Sequence, residues 1–213
     1  MVFFLLFGPA FFIWFYLETL VPSWDRRKGL HTFLSGALLT IPFFFIHGIS
    51  QSLGSIYAEG WKLFAKGFFL DQFLPLLYIL MGYVWWHRKR IMLPIPEQVV
   101  RFLSFGAGGL IPIALRAHLS FLGWEEGFQY LLIPFVWIQL LYVGALYVGV
   151  WFFTVRWERF LVIGAGIGWL FLLGWGGYLY RVNLRFVSWI LVLGSFLAMV
   201  IVFPKLIDRV KYL

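Results

Sequence analysis

Gly109, Pro112, Arg116 and Ser120 follow one another at +3, +4 and +4 spacing in an otherwise apolar stretch, which places a guanidinium on a small, polar helix face. An Arg at the centre of a membrane helix costs ~2.5–3.5 kcal/mol on insertion scales, and residues that carry such a cost line ligand or ion paths or pair with each other. Pro112 cannot donate a backbone hydrogen bond, which frees a carbonyl near Gly108. Asp71 is the best-suited partner for Arg116, because opposite charges in a low dielectric keep each other ionised. The order of the segments brings Asp71, Gln72, His47, Glu125, Glu126 and the Arg181–Asn183–Arg185 loop to the same level as Arg116. The expected chemistry is recognition rather than turnover. Arg116 binds an anionic group, Asp71 holds Arg116 or exchanges a proton, and His47 with Glu125 and Glu126 forms the rim. No catalytic residue, metal site or cofactor is expected.

The elements that position these residues are seven apolar stretches, at about 1–22, 30–50, 67–86, 99–122, 128–153, 160–180 and 186–204. The chain is 62% hydrophobic and only 12% charged, with a mean hydropathy of +0.90. A soluble domain is roughly 45–50% apolar and about 25% charged. Each stretch approaches the ~20 residues that cross a ~30 Å hydrocarbon core, and their continuity excludes barrel strands. The expected fold is therefore all-α: a single polytopic transmembrane domain over residues 1–213.

Arg26, Arg27 and Lys28, then Arg88, Lys89, Arg90 and Arg101, then Arg156 and Arg159, then Lys205, Arg209 and Lys211 fall on one side of the stretches. Lys62, Lys66, Arg181 and Arg185 fall on the other, so the count is twelve against four, with Arg116 inside a span. Basic loops stay in the cytoplasm, which puts the N-terminus outside and the C-terminus in the cytoplasm of a multi-pass inner (plasma) membrane protein. The net charge of +8 is thus topogenic charge facing anionic lipid, and no nucleic-acid partner is expected. No Lys or Arg precedes the first apolar run and no small-residue cleavage site follows it, so that span is expected to be retained. The chain has no Cys, which excludes disulfides and thiolate chemistry.

Other features carry structural expectations. In residues 51–66, Ile56, Tyr57, Gly60, Trp61 and Phe64 share one helical face and Ser55, Glu59, Lys62 and Lys66 the other, the pattern of an amphipathic helix on the outer surface. Gly164 with Gly168, and Ala145 with Gly149, are small-xxx-small pairs that let helices approach closely and offer faces to other membrane subunits. Gln139, in mid-span, is expected to hydrogen-bond a neighbouring helix. Glu18 and His31 fall at the cytoplasmic interface.

Glu125-Glu126 resembles the paired glutamates of the membrane-embedded CAAX-type proteases, over two residues. That family implies His on later helices, whereas all four His here precede residue 119. Ser35-Gly36 with Ala117-His118 resembles fragments of rhomboid proteases, but Ser35 and His118 belong to opposite membrane faces, and Ser–His chemistry needs them adjacent. A retinal protein needs a buried Lys in the last helix, and Lys205 lies at its cytoplasmic end. The expected function is a transporter, or a membrane subunit of a transport complex, with an outward-facing polar pocket for a small solute or lipid head group. A non-catalytic scaffold subunit is the alternative, and an intramembrane enzyme the third.

Overall fold

The computed structural model describes residues 8–10, 12–13, 25–54, 60–87, 95–120, 129–151 and 156–211, some of them by backbone alone. Among the described residues, seven α-helices and one π-helical segment follow in order: α1 (Arg26–Gly54), α2 (Trp61–Lys66), the π-helical segment (Gly67–Phe73), α3 (Leu74–His87), α4 (Ile95–Ser120), α5 (Gln129–Trp151), α6 (Arg156–Arg181) and α7 (Arg185–Lys211). No strand occurs among the described residues, so the fold is all-α. Among the described residues, two helices contain stretches long and apolar enough to cross a membrane, Arg159–Tyr180 in α6 (22 residues) and Arg185–Phe203 in α7 (19 residues).

The most extensive pairing is α1 with α4, and glycine makes it. A Cβ on Gly36 would sit on the carbonyl oxygen of Phe105, and one on Gly108 would sit on the carbonyl oxygen of Phe33. The two helices therefore touch backbone to backbone at two reciprocal points, where each glycine aims a Cα hydrogen at a carbonyl; such contacts recur at helix–helix interfaces. Ser104 Oγ adds a hydrogen bond to the carbonyl of Gly29 at 2.9 Å, and a Cβ on Gly109 would lie 3.0 Å from Thr40 Cγ2.

Elsewhere polar side chains tie helices together. Gln139, 0% exposed, donates from Nε2 to the carbonyls of Phe135 in its own helix and Val192 in α7, both at 3.2 Å. Its Oε1 accepts from Trp169 Nε1 in α6 at 2.9 Å. The amide thus joins α5, α6 and α7, as its mid-span position led us to expect. Ser188 Oγ donates to the Gly176 carbonyl at 2.7 Å and closes the α6–α7 pair.

The turn between α6 and α7 is built on Asn183, whose φ is 70°. Leu184 N–H donates to Leu179 O at 2.9 Å and Asn183 N–H to Tyr180 O at 3.2 Å. This is the pair of bonds that ends a helix in a Schellman motif, with Asn183 at the left-handed position. Asn183, grouped by its level with the pocket, is explained by the turn itself. At the other end of the chain, Asp25 caps α1. Its Oδ1 accepts from the backbone N–H of Arg27 at 3.0 Å and of Lys28 at 3.4 Å. The Arg27 bond is the main cause that holds the Asp25 carboxyl below its ordinary pKa. The cap is thus present at neutral pH and lost as acid protonates it.

The 51–66 segment departs from expectation. Its first residues belong to α1, residues 55–59 lie outside the described residues, and α2 runs straight into the π-helical segment and α3. Phe64 packs against the rings of Phe171 and Trp175, at 5.8 and 5.5 Å between centroids, while Trp61 is exposed. Phe64 therefore docks α2 onto α6, and the helix is the entry to the third apolar segment.

Two substitutions test these joints. Gly36→Ala and Gly108→Ala each push a methyl onto backbone that cannot rotate away, and each is expected to cost about 1–3 kcal/mol or more, read as a lower melting temperature in mild detergent. Asn183→Gly should be neutral or stabilising and Asn183→Val should cost about 1–2 kcal/mol; equal melting of the two variants would contradict the left-handed cap.

Candidate functional site

The polar groups of α3 and α4 gather at two levels, one at each end of their antiparallel contact. At the end nearer the basic loops, Tyr83 donates its hydroxyl to the Gln98 carbonyl at 2.9 Å. The His87 ring stacks on Tyr83 at 4.3 Å, and Trp86 lies between His87 and His31, at 4.5 and 5.9 Å. Arg101, one helical turn after Glu97, reaches back to it. Its Nη2 lies 2.6 Å and its Nε 3.1 Å from Glu97 Oε1. The Arg101 side chain is 7% exposed and that of Glu97 38%.

Arg101 is therefore misread by the loop count that treats it as a topogenic base. It lies inside the bundle, and its charge is matched by a carboxylate on its own helix. The signal for this was present in Glu97-Gln98-Val99-Val100-Arg101, an i,i+4 acid–base pair at a helix start. Tyr83 and His87 gave no such signal. Their role depends on the fold bringing α3 beside α4.

At the other end stands Gln72. It lies in the π-helical segment, a widened turn of the kind often found at functional sites. It is 5% exposed, and its Oε1 is buried with no hydrogen-bond donor among the described residues. The contacts of α3 with α4 fix what lies level with it. A Cβ on Gly82 would rest 3.5 Å from Phe105 Cζ, and one on Gly109 3.6 Å from Ile79 Cγ1. The helices run antiparallel, so Gln72, seven residues before Ile79, and Arg116, seven residues after Gly109, lie toward the same end of the contact. Both steps are about 10 Å at 1.5 Å per residue.

Of the residues expected to form a pocket, the backbones of Asp71, Arg116 and His47 lie in the π-helical segment, α4 and α1 respectively. Their side chains lie outside the described residues, and so do Glu125 and Glu126 altogether. Among the subunit-facing pairs, Ala145 is 0% exposed and a Cβ on Gly149 would meet Val99 at 3.5 Å. That face is filled by α4 of the same chain. Gly164 and Gly168 instead are exposed, with nothing among the described residues within 4 Å of a built Cβ.

No family model, curated protein or solved structure is similar to this chain.

The Glu97–Arg101 pair makes its own prediction. Glu97→Gln leaves a buried guanidinium without its counter-charge. Breaking a fully buried pair costs about 3–5 kcal/mol, and the partial exposure of Glu97 lowers that to roughly 2 kcal/mol. The double change Glu97→Gln/Arg101→Leu should melt above Glu97→Gln alone; a double variant that melts lower than both single variants would contradict the pairing.

Proposed function

We propose that the chain is a polytopic membrane protein of seven spans, with its N-terminus outside, its C-terminus in the cytoplasm, and an outward-facing pocket for a small solute or lipid head group. On this reading it acts as a transporter or as the membrane subunit of a transport complex in the cell's inner membrane. Support for the membrane part comes from the polarity of α1. Leu30, Leu34, Leu38, Ile41 and Phe45 are exposed along one face, while Gly29, Thr32, Gly36, Thr40 and Phe43 are buried along the other. Bulky apolar groups point out and small or hydroxylic groups point in, the reverse of a helix on a water-soluble protein.

The single observation that carries the pocket is Gln72, a buried carboxamide with an unmatched acceptor, level with the backbone of Arg116. An unsatisfied buried polar group costs about 1–3 kcal/mol. A site retained at that cost between helices is where polar ligands bind. Arg116 then supplies the charge for an anionic group, Asp71 steadies it or exchanges a proton, and His47, Glu125 and Glu126 form the rim.

A scaffold subunit is the second candidate, favoured by the open Gly164–Gly168 face of α6. Co-purification at native abundance in mild detergent would reveal its partner.

Two measurements test the transport proposal. A tag after Leu213 should be reached only from the cytoplasmic side; an outer tag would reverse the side of every pocket residue. Small anions and short-chain anionic lipids should stabilise the purified protein saturably, by about 2.7 kcal/mol at a hundred times Kd. Arg116→Leu should remove that stabilisation. A protein that responds to none of them, or an Arg116→Leu variant that responds equally, rules the pocket out.

A further inference from the structure

We propose that Pro42 and Pro112 form a paired hinge, on which the C-terminal arms of α1 and α4, residues 43–54 and 113–120, tilt against the anchored N-terminal parts of the same helices. Each proline lies inside its helix and follows an isoleucine, as Ile41-Pro42 and Ile111-Pro112. A proline within a helix gives no hydrogen bond to the carbonyl four residues back and crowds it, which kinks the helix there. The carbonyls concerned are those of Leu38 in α1 and Gly108 in α4. Thr40, two residues before Pro42, adds a second disturbance. Its Oγ1 donates to the Gly36 carbonyl at 2.7 Å, a back-bond of the kind that bends helices.

The contacts between α1 and α4 put the two prolines at nearly the same height. In one row Gly29 meets Ser104 and Phe33 meets Gly108. In the next Gly36 meets Phe105 and Thr40 meets Gly109. A step of four residues along α1 is a step of four along α4 in both rows, so the helices run parallel. Pro42 and Pro112 follow the Thr40–Gly109 contact by two and three residues and fall within about one turn of each other in height. All four joints precede the prolines. Tyr78 Oη anchors α1 again just before its proline, donating to the Leu39 carbonyl at 3.2 Å. Phe43 and Ile113, immediately past the prolines, are buried and set the pivot. The arms beyond are about 18 Å and 12 Å long at 1.5 Å per residue, so a tilt of about 20° moves their ends by about 6 Å and 4 Å. The arms carry the backbones of His47 and Arg116. On the pocket reading of the preceding section, their tilt opens and closes that pocket, whereas the hinge itself stands without a ligand.

The chain has no Cys, so introduced cysteines are the only sites for a spin label. Leu34, Phe45, Leu115 and Leu197 are exposed and accept one without disturbing the core. Three doubly labelled full-length proteins in lipid nanodiscs are compared by dipolar spin-resonance distance distributions. Phe45→Cys/Leu197→Cys reports the α1 arm, Leu115→Cys/Leu197→Cys the α4 arm, and Leu34→Cys/Leu197→Cys the anchored part of α1. Both arm distributions should be broader than the anchored one, by about 4–6 Å. Pro42→Ala should narrow the first and Pro112→Ala the second to the anchored width, because alanine restores the missing hydrogen bond in a residue that favours helix. Arms no broader than the anchored pair overturn the hinge. Broad arms whose width neither alanine variant changes place the motion elsewhere and overturn it as well. Should an alanine variant fail to fold, the wild-type comparison decides alone. No ligand is added, so the outcome does not depend on the pocket.

Discussion

The backbone contact between α1 and α4 is the constraint on which the rest of the bundle depends. On the proposed membrane reading, lipid tails are as apolar as leucine, so helices would gain little by hiding leucine from them and would associate through close packing and hydrogen bonds instead. Gly36 and Gly108 let two carbonyls sit where a Cβ would be. With α4 held this way on one side, its other faces are set. Gly106 receives Leu141 of α5, and Gly109 and Phe105 receive Ile79 and Gly82 of α3. The antiparallel register of α3 and α4, and with it the level of Gln72, follows from that single crossing.

Hydrogen bonding completes what glycine begins, and it does so unevenly. Gln139 is satisfied at both ends by three helices. Ser104, Ser188 and Tyr83 each donate to a carbonyl on a neighbouring helix, and Arg101 is matched within its own helix. The Gln72 Oε1 acceptor is one of several buried polar atoms for which no hydrogen bond is described.

Parts of this organisation were legible in the residues. The helical class followed from apolar run lengths, and the structural role of Gln139 from an amide in mid-span. The closest packing was not legible. Gly164 and Gly168 carry the recognisable spacing yet face outward, whereas Gly36 and Gly108 do the packing as single glycines on helices far apart in sequence. Spacing within one helix says that a backbone can be approached, and only the tertiary fold says by what. Arg101 was misjudged for a related reason. Lys and Arg at helix ends are ordinarily interfacial anchors, and only the reach back to Glu97 across one turn distinguishes a buried pair from an anchor. The burial of Gln72 was not legible either, because the π-helical turn that carries it leaves no periodic signature.

That turn has a consequence for packing. A π-helical segment is wider than the α-helix it interrupts. Here it joins α2 to α3, so the face continued through Leu76, Ile79 and Tyr83 is offset from the face that Phe64 docks on α6. Phe64 and Phe68 are committed to α6, through Phe171, on one side of the offset. Leu76 and Ile79 are committed to α4 and α5 on the other. Gln72 falls between these two commitments in sequence and is itself buried. Moving it by a rotation of the helix would break one set of packed rings or the other. The segment that carries Gln72 is thus fixed by apolar contacts on either side of it.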